Sequence, residues 1–158
     1  MPTSTHSSPD SESPGRPPTV VVVDDDPQTL AALRRTLRKE PYRLLTSSNP
    51  RQVLDWVDDL EVSVVLSDHR MPLIEGIELL REVRLRSPRT RGLILTAFPG
   101  SLRLDLGLLS WVGRVIPKPW EDEGLRSVLR ELLGAGPGAP SDPVQTPGEL
   151  DFDLGGEA

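Results

Sequence analysis

Thr19-Val20-Val21-Val22-Val23-Asp24-Asp25-Asp26-Pro27 is the stretch that decides the fold. Five β-branched residues in succession leave no polar face, so this strand is expected to be buried on both sides. Strands of that kind belong to parallel sheets covered by helices above and below. Three aspartates end the run and Pro27 opens a helix. Asp26 can cap its first amides, and proline suits the first helical position. Leu30, Leu33 and Leu37 then recur at helical spacing, and Pro41 stops the helix.

The same alternation continues along the chain. Tyr42–Thr46 reads as a short strand, and Asn49-Pro50 opens a helix carrying Val53, Val57 and Leu60 on one face. Val62–Leu66 is a third, buried strand, followed by a helix marked by Ile77, Leu80 and Val83. Gly92–Thr96 and Val112–Ile116 are the last two strands. Leu125, Val128, Leu129 and Leu132 mark the final helix, which Gly134 ends. Between the last two strands, Leu102, Leu104, Leu106 and Leu108 alternate with a period of two. The topology nevertheless asks for a helix over Ser101–Leu109, and it is read as one. The predicted class is α/β: a doubly wound, five-stranded parallel sheet with five helices.

Composition sets the limits of the folded part. Of 158 residues only 36% are hydrophobic and 17 are proline, so part of the chain is expected to lie outside any core. Residues 1–18 are rich in Ser, Pro and Thr and read as a disordered tail. Residues 135–158 read as a flexible acidic tail, and 19–134 as the domain. The net charge of −6 sits largely in the tail: residues 134–158 hold five acidic and no basic side chains, while 19–133 are neutral. A neutral domain with an acidic tail offers nucleic acid no electrostatic footprint. No apolar run is long enough to span a membrane, and the N-terminus lacks the basic-then-apolar pattern of a signal peptide. There is no cysteine, which excludes disulfides and thiolate metal sites and fits a cytoplasmic location.

In a doubly wound sheet, ligands bind beyond the carboxyl ends of the strands. There the sequence sets Asp24, Asp25 and Asp26 after strand one, Asp68 after strand three, Thr96 at the end of strand four and Lys118 after strand five. Clustered carboxylates favour a hard divalent cation with oxygen ligands, most simply Mg²⁺. One carboxylate can then attack phosphorus, with an ammonium and a hydroxyl meeting the charge on the phosphoryl oxygens. Of 18 basic residues only Lys39 and Lys118 are lysine. A lysine at this strand end, in so arginine-rich a chain, fits a compact charge for a phosphoryl group that comes and goes.

These motifs resemble those of response-regulator receiver domains of two-component signalling. Val21-Val22-Val23-Asp24-Asp25-Asp26-Pro27 is similar to the acidic first-strand motif of that family. Ser67-Asp68-His69-Arg70-Met71-Pro72 with Glu75-Gly76 is similar to the phosphoacceptor strand and its loop. Leu95-Thr96-Ala97 and Pro117-Lys118-Pro119-Trp120 match the remaining two signatures. Each is weak alone; all four in order, over residues 19–134, are strong. The resemblance implies a flavodoxin-like sheet of order 2-1-3-4-5. It implies phosphorylation of Asp68 by a histidine kinase or phosphotransfer protein. Asp25, Asp68 and the Arg70 carbonyl would ligate Mg²⁺, with Asp24 helping through water. Thr96 would bond the phosphoryl group and Lys118 would pair with it. The Asp-x-Arg-Met-Pro and Lys-Pro-Trp variants also resemble receivers fused to cyclic-dinucleotide phosphodiesterase domains, and no such domain lies in these residues.

Three departures bear on function. Receivers often carry Tyr or Phe three residues before the lysine as a switch; here Val115 stands there, leaving a weak switch or one supplied by Trp111. Glu75 replaces the commoner aspartate, a minor change. Phe98, two residues after Thr96, is expected with Arg70 to slow hydrolysis of the acyl phosphate by restricting water. His69 is expected to turn away from the pocket by strand alternation, and His6 falls in the N-terminal tail. Trp111 and Trp120 read as packing residues.

The leading function is therefore a single-domain response regulator that signals by phosphorylation-dependent binding to a downstream protein target or to its own copy as a homodimer. The binding surface would be the fourth helix, fifth strand and fifth helix. Glu149-Leu150-Asp151-Phe152-Asp153-Leu154 would be either a plain soluble tail or a docking segment. The alternative is a phosphate-independent interaction module with an idle pocket, which Val115 favours. A hydrolase of the haloacid-dehalogenase kind lacks its second aspartate, because Arg70 occupies that position.

Overall fold

The computed structural model describes residues 16–102 and 111–134. Five strands form one sheet: β1 (Thr19–Val23), β2 (Arg43–Ser47), β3 (Val64–Asp68), β4 (Arg91–Thr96) and β5 (Val112–Pro117). All neighbours are parallel and the order is β2-β1-β3-β4-β5. Four α-helices are described: α1 (Pro27–Leu37), α2 (Pro50–Asp59), α3 (Gly76–Arg86) and α4 (Asp122–Gly134). This is the doubly wound, flavodoxin-like arrangement that the sequence predicts. Of the expected Ser101–Leu109 helix, Pro99–Ser101 is a single 3-10 turn and residues 103–110 lie outside the described residues. Of the tail read over 1–18, residues 1–15 lie outside them as well, as does all of 135–158.

The core has two layers, one on each face of the sheet, and strand alternation sorts residues between them. Val21, Val23, Val65 and Ile94 face Val53 and Val57 of α2 and Ile77, Leu80 and Val83 of α3. Val20, Val22, Val64, Leu66, Leu93 and Leu95 face Leu30, Leu33 and Leu37 of α1 and Leu125 and Leu129 of α4. Every residue of β1, β3 and β4 is buried, which is why Val20–Val23, Val64–Leu66 and Leu93–Leu95 read as unbroken apolar runs. β2 is an edge strand and only Ser47 is buried in it. Burying each leucine of these layers contributes about 1.5–3 kcal/mol, and the helices are held to the sheet chiefly by such contacts.

Local chemistry sets where the helices begin. Asp26 accepts from Gln28 N at 3.0 Å and from Thr29 Oγ1 at 3.0 Å, capping α1 behind Pro27. Asn49 does the same for α2 through Arg51 N at 3.0 Å. β3 starts two residues later than expected and reaches Asp68. Val62 and Ser63 form its entry, where Ser63 N donates to Thr19 O and Arg91 N to Ser63 O, and the ladder runs on to pair Asp68 with Leu95. Asp68 is thus the last residue of the strand rather than the first of the loop.

Candidate functional site

β1 pairs with β2 on one side and β3 on the other, so the winding reverses between β1 and β3. The crevice at that reversal, beyond the strand ends, is where such sheets bind ligands. Val23 lies opposite Ser67 in the ladder, so Asp24 follows beside Asp68. Carboxylate oxygens of Asp24, Asp25 and Asp68 all lie within 4.8 Å of one another. Asp24 is 1% exposed, Asp68 8%, and Asp25 is open to solvent.

Lys118 closes the cluster from β5. Its Nζ donates to Asp68 Oδ1 at 2.8 Å and to Asp24 Oδ2 at 3.2 Å. Its backbone N donates to Thr96 O at 2.8 Å, and its peptide bond to Pro119 is cis. Burial pushes the Asp24 carboxyl above the usual carboxylate range; Asp26 N, which donates to its Oδ1 at 2.9 Å, pulls the other way, Asp68 adds to the rise and Lys118 opposes it. Burial works against the charge of Lys118, yet its bonds to Asp68 and Asp24 outweigh this and hold its pKa above the usual lysine value. The site thus carries an excess of negative charge that one ammonium only partly offsets.

The carboxylate set fits a hard dication. Its donors are all oxygen, they converge, and the buried member is destabilised as an anion without more positive charge. Arg70, whose carbonyl the sequence nominates as a further ligand, is exposed, with its guanidinium 5.7 Å from the centre of the Phe98 ring. That stacking joins the two residues expected to restrict water. Phe98 is 61% exposed and Leu73, in the loop after β3, is 81% exposed.

Two backbone features shape the loop that follows Asp68. Gly76 N donates to His69 O at 2.9 Å, and a Cβ on Gly76 would overlap the Asp68 carbonyl oxygen. Ser67, fully buried, donates its hydroxyl to that same oxygen at 2.9 Å. The glycine therefore lets α3 start hard against the strand end that carries Asp68.

The structure brings Asp24, Asp25, Asp68 and Lys118 together as expected. Thr96 is 1% exposed at the end of β4, and its Oγ1 accepts from Phe98 N at 2.9 Å. The surprise is His69. Expected to turn away from the pocket, it is 6% exposed, and its Nδ1 lies 3.0 Å from Thr96 Oγ1. Alternation does turn it off Asp68's side. In a parallel ladder, however, residues in register point the same way, and Asp68 is paired with Leu95, so His69 falls beside Thr96. That register was the signal by which it could have been found.

Trp111 does not replace the missing aromatic switch. Its indole stands against Gly92, and its Nε1 donates to Pro88 O at 3.2 Å. Gly92 and Thr96 are four residues apart along β4, about 13 Å at a strand's rise. Val115 is opposite Ile94 and packs into the α2/α3 layer with Leu102. Trp120 instead ties the segment after Lys118 to α1: its Nε1 donates to Thr36 Oγ1 and Asp122 Oδ1, both at 3.2 Å.

Comparison with known proteins agrees with this geometry. The response regulator receiver domain family matches residues 20–130, and the chain belongs to that family. The hydrogenase transcriptional regulatory protein HoxA of Cupriavidus necator is 36% identical over 118 residues, covering 74% of this chain and 24% of that protein. The chain spans about half the length of other curated relatives that it matches. Among solved structures, the receiver domain of an HD domain-containing protein from Pseudomonas fluorescens Pf-5 is 29% identical with a TM-score of 0.64, covering 75% of this chain and 96% of that one. The response regulator TrrA of Thermotoga maritima, solved with Mg²⁺ and BeF, is 26% identical with a TM-score of 0.65, covering 73% and 98%.

Proposed function

We propose that this chain is a phosphorylatable signalling module in which Asp68 accepts a phosphoryl group from a histidine kinase or phosphotransfer protein. The observation that carries the reading is Lys118 Nζ bonded at once to Asp68 and Asp24, two of three converging carboxylates. Asp68 supplies the nucleophilic oxygen. Its new O–P bond forms as the N–P bond of a phosphohistidine breaks, and that bond's electron pair stays on the imidazole nitrogen. Lys118 is placed to follow the charge from the Asp68 carboxylate to the phosphoryl oxygens, and the Thr96 hydroxyl donates a further hydrogen bond. Asp24, Asp25, Asp68 and the Arg70 carbonyl would hold Mg²⁺, which when bound neutralises carboxylate and phosphoryl charge. The chemistry is confined to the chain's own aspartate, with no external substrate turned over.

The output is phosphorylation-dependent binding to a downstream protein or to a second copy, in the cytoplasm, with residues 19–134 as the working domain. Among the described residues no helix is long and apolar enough to cross a membrane. A phosphate-independent module is the second reading, and Val115 is the observation that favours it. Intact mass after incubation with acetyl phosphate and Mg²⁺ separates the two. One labile phosphoryl group on the wild type and none on Asp68→Asn is expected; no gain on the wild type leaves the second reading.

A further inference from the structure

Thr96 has one hydroxyl proton and two lone pairs to distribute. Phe98 N–H occupies one lone pair at 2.9 Å. His69 Nδ1, at 3.0 Å, engages either the proton or the second lone pair, according to which ring nitrogen carries hydrogen. A phosphoryl oxygen on Asp68 only accepts, so a Thr96 hydroxyl that serves it must give it the proton. Nδ1 can then keep its contact only as a donor. The ring is well placed for this. Backbone bonds hold both sides of His69, its N donating to Leu95 O at 2.9 Å and its O accepting from Gly76 N at 2.9 Å. Histidine and threonine are both buried, at 6% and 1% exposure, so water competes little for the contact.

We propose that His69 is a positioning residue for phosphoryl transfer: in the phosphorylated state its Nδ1–H donates to Thr96 Oγ1 and fixes the hydroxyl rotor with its one proton toward the phosphoryl oxygen. With Phe98 N–H and His69 Nδ1–H filling both lone pairs, the Thr96 proton has no other acceptor to turn to. The inference rests on Asp68 as phosphoacceptor. It adds a hydrogen-bonding role for the residue that follows the nucleophile, in this chain a histidine.

The test is the rate of phosphorylation of the full chain by acetyl phosphate and Mg²⁺, read by intact mass. His69→Phe, which fills the site without a ring nitrogen, is expected to slow the reaction about fivefold to tenfold, the rate equivalent of one positioning hydrogen bond. His69→Asn sets a polar atom where Nδ1 lies and is expected to restore most of the rate. In a Thr96→Val background, His69→Phe is expected to change nothing further. A second measurement needs no variant. The ¹⁵N resonance of His69 Nδ1 in the wild type with beryllofluoride and Mg²⁺ is expected at a proton-bearing position. A His69→Phe rate equal to wild type, a full additional loss on top of Thr96→Val, or an Nδ1 without a proton in the beryllofluoride state would each overturn the inference and leave Asp68 as acceptor. No mass gain on the wild type would overturn both.

Discussion

Replacing Lys118 with methionine keeps most of the length of the side chain and removes its charge. Asp24 and Asp68 are then left with oxygens within 4.8 Å and no counter-charge. Two unit charges at that separation repel by about 3.5 kcal/mol at an effective dielectric of about 20. Solvent relieves little of this, because the side chains of Asp24 and Asp68 are only 2% and 10% exposed. Breaking a buried pair from one side costs about 3–5 kcal/mol in general, so a loss of about 3 kcal/mol is expected for Lys118→Met without metal. With a urea dependence of about 1.5 kcal/mol per molar, the unfolding midpoint falls by about 2 M. Circular dichroism in urea, with EDTA and then with Mg²⁺, measures it. The loss is expected to shrink in Mg²⁺, because the dication takes over the charge that Lys118 supplied. It is also expected to shrink at low pH, where Asp24 takes up a proton. A loss of the same size in EDTA and in Mg²⁺, or no loss in either, would refute the argument that Lys118 acts here as a stand-in counter-ion.

Other perturbations probe separate parts of the site. Gly76→Ala drives a methyl group into the Asp68 carbonyl oxygen, and it is expected to destabilise the fold by about 1–3 kcal/mol, read as a lower urea midpoint. The raised pKa of Asp24 means that the folded chain keeps a proton there after the unfolded chain has lost its own. That contribution to stability is therefore full below the unfolded carboxylate pKa of about 3.9. It is lost as pH rises through the folded value, and metal-free denaturation curves of Asp24→Asn are expected to show a flatter pH dependence than the wild type. Phe98→Glu with Arg70→Asn removes the stacked pair at the rim and is expected to shorten the lifetime of the acyl phosphate; an unchanged decay of the phosphorylated mass would count against any role for that pair.

Much of this architecture could be read from the chain because burial writes itself into composition. β1 and β4 are covered on both faces, and their apolar runs placed them within a residue. The caps of α1 and α2 were legible because Asp26-Pro27 and Asn49-Pro50 act locally. The start of β3 differs from the expected one because Val62 is as buried as a strand residue while its backbone lies ahead of the ladder, its carbonyl accepting from Thr90 Oγ1 at 2.7 Å. Asp24, Asp25, Asp68 and Lys118 came from strand ends, which topology alone brings together. His69 was missed because its seat depends on a neighbouring strand: alternation says which face a residue leaves, and only the register with β4 says what it meets there. Trp111 packs as its apolar ring suggests, against Gly92; that it could stand in for the switch stayed open in the sequence, because only the fold shows that Gly92 lies at the far end of β4 from Thr96.

The position of the three tryptophans has a practical consequence. Trp56 and Trp111 pack into the α2/α3 layer, while Trp120 lies on the α1/α4 face, two residues past Lys118, with its indole N–H held by Thr36 and Asp122. Any event that draws Lys118 away from Asp24 pulls on the short tether to that indole. Trp120 is therefore an intrinsic optical probe of the site, with the other two as a steady background. In a Trp56→Phe, Trp111→Phe chain, its emission alone would follow occupancy of the pocket in real time, without label or radioisotope.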